Sequence, residues 1–378
     1  MSLPVPTTLP APPAYGSSTL SDLLPSIGAV LGLPGRDNVL GLPEAERFVV
    51  LLVDGLGRDL LRGREELAPF LTGLLDAPAS RTITSGAPST TVTSVTSLGT
   101  GLTPGQHGVA GYTFRLGGRL LNALLWEPGL DGLDVQPQLT AFERLAKAGV
   151  RCATVTPSRF RGSGLTTCAL RGADFLGYAD ESDTDRRVEL TVQAALSGPR
   201  SVVYLYDRDL DHAGHKQGTA SDAWATELIR IDALASALRT MLPDDVRLLI
   251  TGDHGMVDVA EDRRLTIEDH PDLVAGVAMI GGEGRFRQLY VPGGAAAVAA
   301  RWADRLGPDA WVLTRDEAAE AGWFGPLQPR LADRFGDVLV AMATDRALMT
   351  LTQPNEFNLV GMHGSLTPAE LTVPLLIG

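Results

Sequence analysis

Apolar residues fall into a few unbroken runs, each stopped by a polar turn. "RFVVLLVDGLG" (47–57) is continuous until Asp-Gly, which reads as a strand buried on both faces of a parallel sheet. "VRCATVTP" (150–157), "RSVVYLYDRD" (200–209) and "DVRLLITGDHG" (245–255) repeat the pattern. Between them the spacing predicts helices over 58–75, 139–148 and 221–241. This alternation predicts an α/β fold, a three-layer αβα core around a mostly parallel sheet.

The pattern changes over 256–345. "AGVAMIGGEGRFRQLYV" predicts a pair of strands; "AAAVAARWADRL" and "TRDEAAEAGWF" predict helices. This stretch is expected to be a smaller inserted α+β subdomain. "VLVAMAT" and "GMHGSLTPAELTVPLLIG" are expected to return the chain to the core. The expected division is an N-terminal arm over 1–40, with proline-rich "PVPTTLPAPP" extended, a core over 41–255 and 346–378, and the insert.

The 378 residues carry a formal net charge of -13, with 44% hydrophobic residues. That suits a folded protein and opposes binding to a nucleic-acid scaffold or an anionic membrane. Small phosphate substrates stay compatible, because a local cationic site overrides the global field. Two cysteines, Cys152 and Cys168, form neither a disulfide framework nor a thiolate metal site. With no leader and no apolar run of membrane-spanning length, the expected location is the cytoplasm. Nothing indicates the oligomeric state.

In open α/β sheets, ligands bind beyond the carboxyl ends of the strands. Asp54, Asp211 with His215, and Asp253 with His254 follow three of the predicted strands; His363 lies in "GMHGS". These oxygen and imidazole donors suit zinc or a similar divalent ion. The spacing of Asp211 and His215 sets both on one face of a helical turn. Four of the six histidines, His107, His215, His254 and His363, have a glycine neighbour, which permits close backbone approach. Each residue alone has a plainer reading: Asp54 as a cap, Asp211 and His215 as an exposed helix face, "DHG" as a turn, His363 as a buried histidine. A second signal is the hydroxyl-rich stretch "TITSGAPSTTVTSVTSLGTGLTPGQHG" (82–108). It reads either as a polar loop capping a helix through 92–99 or as the carrier of a nucleophile.

"VVLLVDGLG", "PSTTVTSVTSLGTGLTPGQHGV", "DLDHAGHKQG", "TGDHGM" and "GMHGS" resemble, in order and separation, the alkaline phosphatase superfamily. The nearest branch is that of nucleotide pyrophosphatases and phosphodiesterases, matched over roughly 45–260 and the C-terminal segment. The resemblance implies two divalent ions, most simply Zn²⁺. Asp211, His215 and His363 would hold one; Asp54, Asp253 and His254 would hold the other together with Thr91. It makes Thr91 the nucleophile, with Thr90 the alternative one residue away. Where the branch has an asparagine, "HGVAGYTF" has Tyr112, which reads either as a contact to a phosphate oxygen or as a buried aromatic. "LLWEPG", around Trp126, also departs from the branch's form.

The implied function is hydrolysis of phosphate diesters or pyrophosphates through a phospho-threonine, with a small phosphate ester or nucleotide as substrate. One alternative is a phosphomonoesterase of the same fold, with Arg159 and Arg161 as candidate cations or merely a solvated loop. Another is a non-catalytic metal- or phosphate-binding module.

Overall fold

The computed structural model describes residues 8–126 and 129–378. The first part of the proline-rich arm, and Glu127 and Pro128 of "LLWEPG", lie outside them. A seven-stranded sheet forms the centre, ordered Arg81–Thr84, Thr372–Ile377, Val246–Gly252, Arg47–Val53, Ser201–Asp207, Arg151–Pro157 and Asp174–Tyr178. The five strands from Val246–Gly252 to Asp174–Tyr178 pair in parallel; Thr372–Ile377 runs antiparallel to both of its neighbours.

The central strand shows why its sequence lacks polar alternation. Val49, Leu51 and Val53 enter one apolar cluster with Trp224, Leu228 and Leu238 of the helix Asp222–Met241. Phe48, Val50 and Leu52 enter the opposite cluster with Phe142 and Leu145 of Ala141–Lys147. Both faces are covered, so each position is apolar. The second cluster also takes Leu20, Leu23, Leu24 and Ile27, so part of the stretch expected as an arm packs against the sheet. Further upstream, the Trp311 indole donates to the Thr8 carbonyl at 2.9 Å and the Tyr15 hydroxyl to the Trp323 carbonyl at 2.9 Å.

Two local expectations need correction. The helix expected over 58–75 is broken into Arg58–Leu61 and Pro69–Leu75. Gly63 between them takes φ +71°, and Pro69 opens the second piece, where its missing N–H costs nothing. "VLVAMAT" does not rejoin the core sheet. Val338–Met342 pairs antiparallel with Phe286–Tyr290 and with Ala310–Thr314 in a separate four-stranded sheet. Its apolar run arises from burial on both faces, Leu339 and Ala341 on one and Val338, Val340 and Met342 on the other.

Candidate active site

Parallel strands end at one edge of the sheet, and the polar residues following them meet there. Asp54 follows Arg47–Val53, Asp253 and His254 follow Val246–Gly252, and Asp211 and His215 ride the helix Asp209–Gln217 after Ser201–Asp207. His363 follows the short strand Gly361–Met362. The turns after Arg47–Val53 and Val246–Gly252 nearly touch. A Cβ on Gly57 would lie 2.8 Å from the Gly255 Cα, and one on Gly255 would lie 2.0 Å from the Ala369 carbonyl oxygen. Glycine is the side chain that allows this approach.

All three site histidines are oriented alike. The Nδ1 atoms of His215, His254 and His363 lie 2.8, 3.0 and 2.9 Å from the carbonyls of Gly361, Gly255 and Ser89. A carbonyl only accepts, so each Nδ1 holds the proton and each Nε2 turns a lone pair inward. The His254 and His363 rings stack with centroids 3.6 Å apart. His215 Nε2 lies 3.3 Å from Asp211 Oδ2, and His254 Nε2 lies 3.3 Å from Asp54 Oδ1 and 3.4 Å from Asp253 Oδ2.

Ligand atoms of Asp211, His215 and His363 fall within 4.8 Å of one another, as do those of Asp54, Asp211 and His254. Asp211 thus stands between two clusters. Its Oδ1, and Oδ2 of Asp253, are buried without a hydrogen-bond partner. Burial and the neighbouring Asp253 and Asp211 raise the Asp54 carboxyl well above its ordinary range. Burial pushes Asp253 up to about 7, with Asp211 adding to the rise. Burial, then His254 and His215, hold His363 well below the usual imidazole range. Carboxylates that repel one another, orphaned oxygens and inward lone pairs form a donor set that fits divalent cations.

Thr91 is the first residue of the helix Thr91–Thr100, whose leading N–H groups are free for an anion. Its Oγ1 lies 3.3 Å from Asp54 Oδ1 and 3.2 Å from His254 Nε2. Thr90 turns elsewhere, its hydroxyl donating to Glu283 Oε2 at 3.2 Å. Several other hydroxyls of the stretch serve the fold: Thr96 and Thr100 bond back to the carbonyls of Val92 and Thr96. His107 is not part of the site. It is buried, with Ser97 Oγ at 2.9 Å from Nε2 and the Val109 N–H donating to Nδ1, and burial lowers it to about 3.

A cavity of about 460 Å³ opens over these residues. Tyr112 lines it, half-buried, its hydroxyl raised by burial and standing near Asn122, Glu283 and Glu356. Arg159 and Arg161 are outside the lining. Arg159 pairs with Glu181 and covers the Phe160 ring, and Arg161 donates to the Phe175 carbonyl at 3.0 Å. Sequence reasoning missed three residues here. Tyr206, partly buried, donates its hydroxyl to Asp54 Oδ2. Glu283, in the separate four-stranded antiparallel sheet, faces Thr90 and is raised well above the carboxyl range by burial, then by Glu356. Arg208 lines the cavity ahead of Asp211. The strand-end rule that found Asp54 and Asp211 also covers Tyr206 and Arg208, but aromatic and arginine side chains are common at such positions.

An αβα core that gathers three carboxylates, three imidazoles and the hydroxyl of a helix's first residue at the strand ends has the architecture of the alkaline-phosphatase-like hydrolases. The profile of the type I phosphodiesterase / nucleotide pyrophosphatase family matches residues 48–366, and the chain belongs to that family. Murine ectonucleotide pyrophosphatase/phosphodiesterase 5 superposes with a TM-score of 0.69 at 16% identity, covering 87% of each chain. An inactive threonine-to-alanine form of it, in complex with AMP, superposes with a TM-score of 0.69 at 17% identity, again covering 87% of each chain. Phosphonoacetate hydrolase from Sinorhizobium meliloti 1021, in complex with phosphonoformate, gives 0.66 at 20% identity, over 89% of this chain and 91% of that one. No curated protein matches the chain. Family and neighbours indicate a phosphoester hydrolase. Among the described residues no helix is long and apolar enough to cross a membrane.

Proposed function

We propose that the protein is a two-metal phosphodiesterase or nucleotide pyrophosphatase that works through a phospho-threonine on Thr91. The observation that carries this reading is the Thr91 hydroxyl at a helix N-terminus, within 3.3 Å of Asp54 and 3.2 Å of His254, while Thr90 bonds Glu283. The neighbour in complex with AMP is an inactive threonine-to-alanine form, which supports a nucleotide substrate and a threonine in the catalytic role.

Asp211, His215 and His363 would hold one divalent ion, and Asp54, Asp253 and His254 the other, zinc being the ion best suited to this mixed set. Ions bound there would lower the pKa of the Thr91 hydroxyl and stabilise charge on the leaving oxygen. Thr91 Oγ1 loses its proton to water and forms the bond to phosphorus. The bond to the leaving oxygen breaks, and that oxygen takes the electron pair. Water then gives up a proton and bonds to phosphorus, the bond from phosphorus to Oγ1 breaks, and Oγ1 takes the electron pair and a proton, which restores the hydroxyl. The N–H groups of the helix Thr91–Thr100 hold the phosphoryl oxygens through both displacements. Tyr112, at the cavity wall, is placed to donate to one of them.

Charge favours diesters. Before Thr91 loses its proton, three carboxylates against two divalent ions leave one net positive charge, matched to the single negative charge of a diester. A monoester needs an additional cationic clamp beside Thr91; Arg159 and Arg161 are engaged elsewhere, and Arg208 comes from the wall that carries Asp211 and His215. We also propose the division into an arm (1–40), whose residues Leu20 to Ile27 pack on the core, a core (41–255 with 346–378) and an insert (256–345) that lends Glu283 to the cavity. Buried, unbridged thiols at Cys152 and Cys168 support a cytoplasmic location.

The test compares kcat/KM for a chromogenic diester and a monoester on protein loaded with zinc or manganese. The diester is expected to be preferred, and chelation to abolish both activities. A monoester preference of about a hundredfold, roughly 2.7 kcal/mol in transition-state energy, would assign the site to a phosphomonoesterase instead. Metal bound without turnover of either ester would make it a binding module.

A further inference from the structure

The walls of the cavity differ in charge. Glu283 and Glu356 stand with Tyr112 on its lining, whereas Arg208 and His212 come from the start of the helix that carries Asp211 and His215. Arg208 is the one arginine or lysine lining the cavity among the described residues. In a chain of net charge -13, a guanidinium in the cavity supplies a local exception to the field met by an anionic substrate.

Arg208 is also incompletely used by the protein. Its Nε is buried with no hydrogen-bond partner. Its nearest acids are Glu181 and Asp209, both at 3.5 Å from Nε, beyond a good charge-assisted bond. Each acid already has a closer cation: Glu181 pairs with Arg159, and Asp209 with Arg230 at 3.1 Å. The Arg208 side chain stays one-third exposed. It is held near the cavity but not saturated there. His212, one turn further along the helix, is exposed and lines the same cavity.

Position in the site gives this cation a direction. Thr91 approaches from the side of Asp54 and His254, so in-line displacement sends the leaving group the other way, over Asp211, His215 and His363. Arg208 immediately precedes the helix that carries Asp211 and His215, and it lines the cavity with them. We propose that Arg208, with His212 next to it, binds a phosphate-bearing leaving group, so that the site selects pyrophosphate-linked nucleotides over diesters whose leaving group lacks phosphate. A guanidinium suits this task because its fork of N–H donors matches phosphate oxygens in pairs. The inference rests on the proposed function and deepens it by naming the leaving group.

The test measures kcat/KM for a nucleoside triphosphate and for the p-nitrophenyl ester of the same nucleoside 5′-phosphate, in wild type, Arg208→Gln and Arg208→Lys. In Arg208→Gln the ratio of triphosphate to nitrophenyl ester is expected to fall about tenfold or more, mainly through KM, and Arg208→Lys should recover part of it. Calorimetry with inorganic pyrophosphate on metal-loaded protein should show a similar loss of affinity in Arg208→Gln. An equal loss on both esters would make Arg208 a structural support, and an unchanged ratio would remove it from substrate recognition; either overturns the inference and leaves the proposed function standing. Wild-type protein that cleaves neither substrate would instead overturn the proposed function.

Discussion

At the scale of single residues, the site is built by fixing which atom of each side chain faces inward. Three backbone carbonyls hold three Nδ1 protons and so commit three Nε2 lone pairs to the centre. Tyr206 does the same for a carboxylate, since its hydroxyl donates to Asp54 Oδ2 and leaves Oδ1 toward Thr91 and His254. Tyr206→Phe keeps the ring, which packs against Tyr204 and Phe160, and removes only this bond. Metal affinity at the Asp54 cluster is expected to weaken by about 10–100-fold with little change in thermal stability. A metal titration of the variant that overlays the wild type would show that Asp54 needs no such support. The donors were legible in the sequence because carboxylates and imidazoles right after buried strands are hard to explain as core. Tyr206 was not, because an aromatic at a strand end reads equally well as packing. Glu283 was not, because it reaches Thr90 only through pairing of the insert's strands, which local pattern does not encode.

At the scale of elements, glycine governs how closely the strand-end turns approach. Gly57 and Gly255 pass backbone against backbone, and Gly252 abuts the Leu56 carbonyl, where a Cβ would come within 2.3 Å. Gly255→Ala would press a methyl group on the Ala369 carbonyl and push the Asp253–His254 turn away from Asp54. A stability loss of roughly 1–3 kcal/mol is expected, together with weaker metal binding. Calorimetric melting and a metal titration check this together; an unshifted Tm would mean that the two turns are not packed this closely. The parallel core was legible from its apolar runs, since both of its faces are covered. The same property misassigned Val338–Met342, because a doubly buried strand carries no sign of which sheet it joins. The break between Leu61 and Pro69 was hidden by apolar residues that keep helical spacing across Gly63.

At the scale of the whole molecule, the site concentrates buried negative charge that bound cations would relieve. Asp253 at about 7, and Asp54 also raised, retain protons in the metal-free fold that a metal must displace. His363, lowered, is already neutral and releases none. Metal affinity is therefore expected to rise as pH rises through about 7, and because ions bind the native state, the gain in Tm on adding zinc should be larger at about pH 8 than at about pH 6. A larger gain at the acidic end would contradict this assignment of charge. The most direct measurement is turnover of a chromogenic diester by Thr91→Ala, with metal content determined on the same sample. Six other ligands remain in that variant, so its metal content is expected to match wild type while kcat/KM falls by roughly three orders of magnitude or more. Near-native turnover at full metal content would contradict a nucleophilic Thr91.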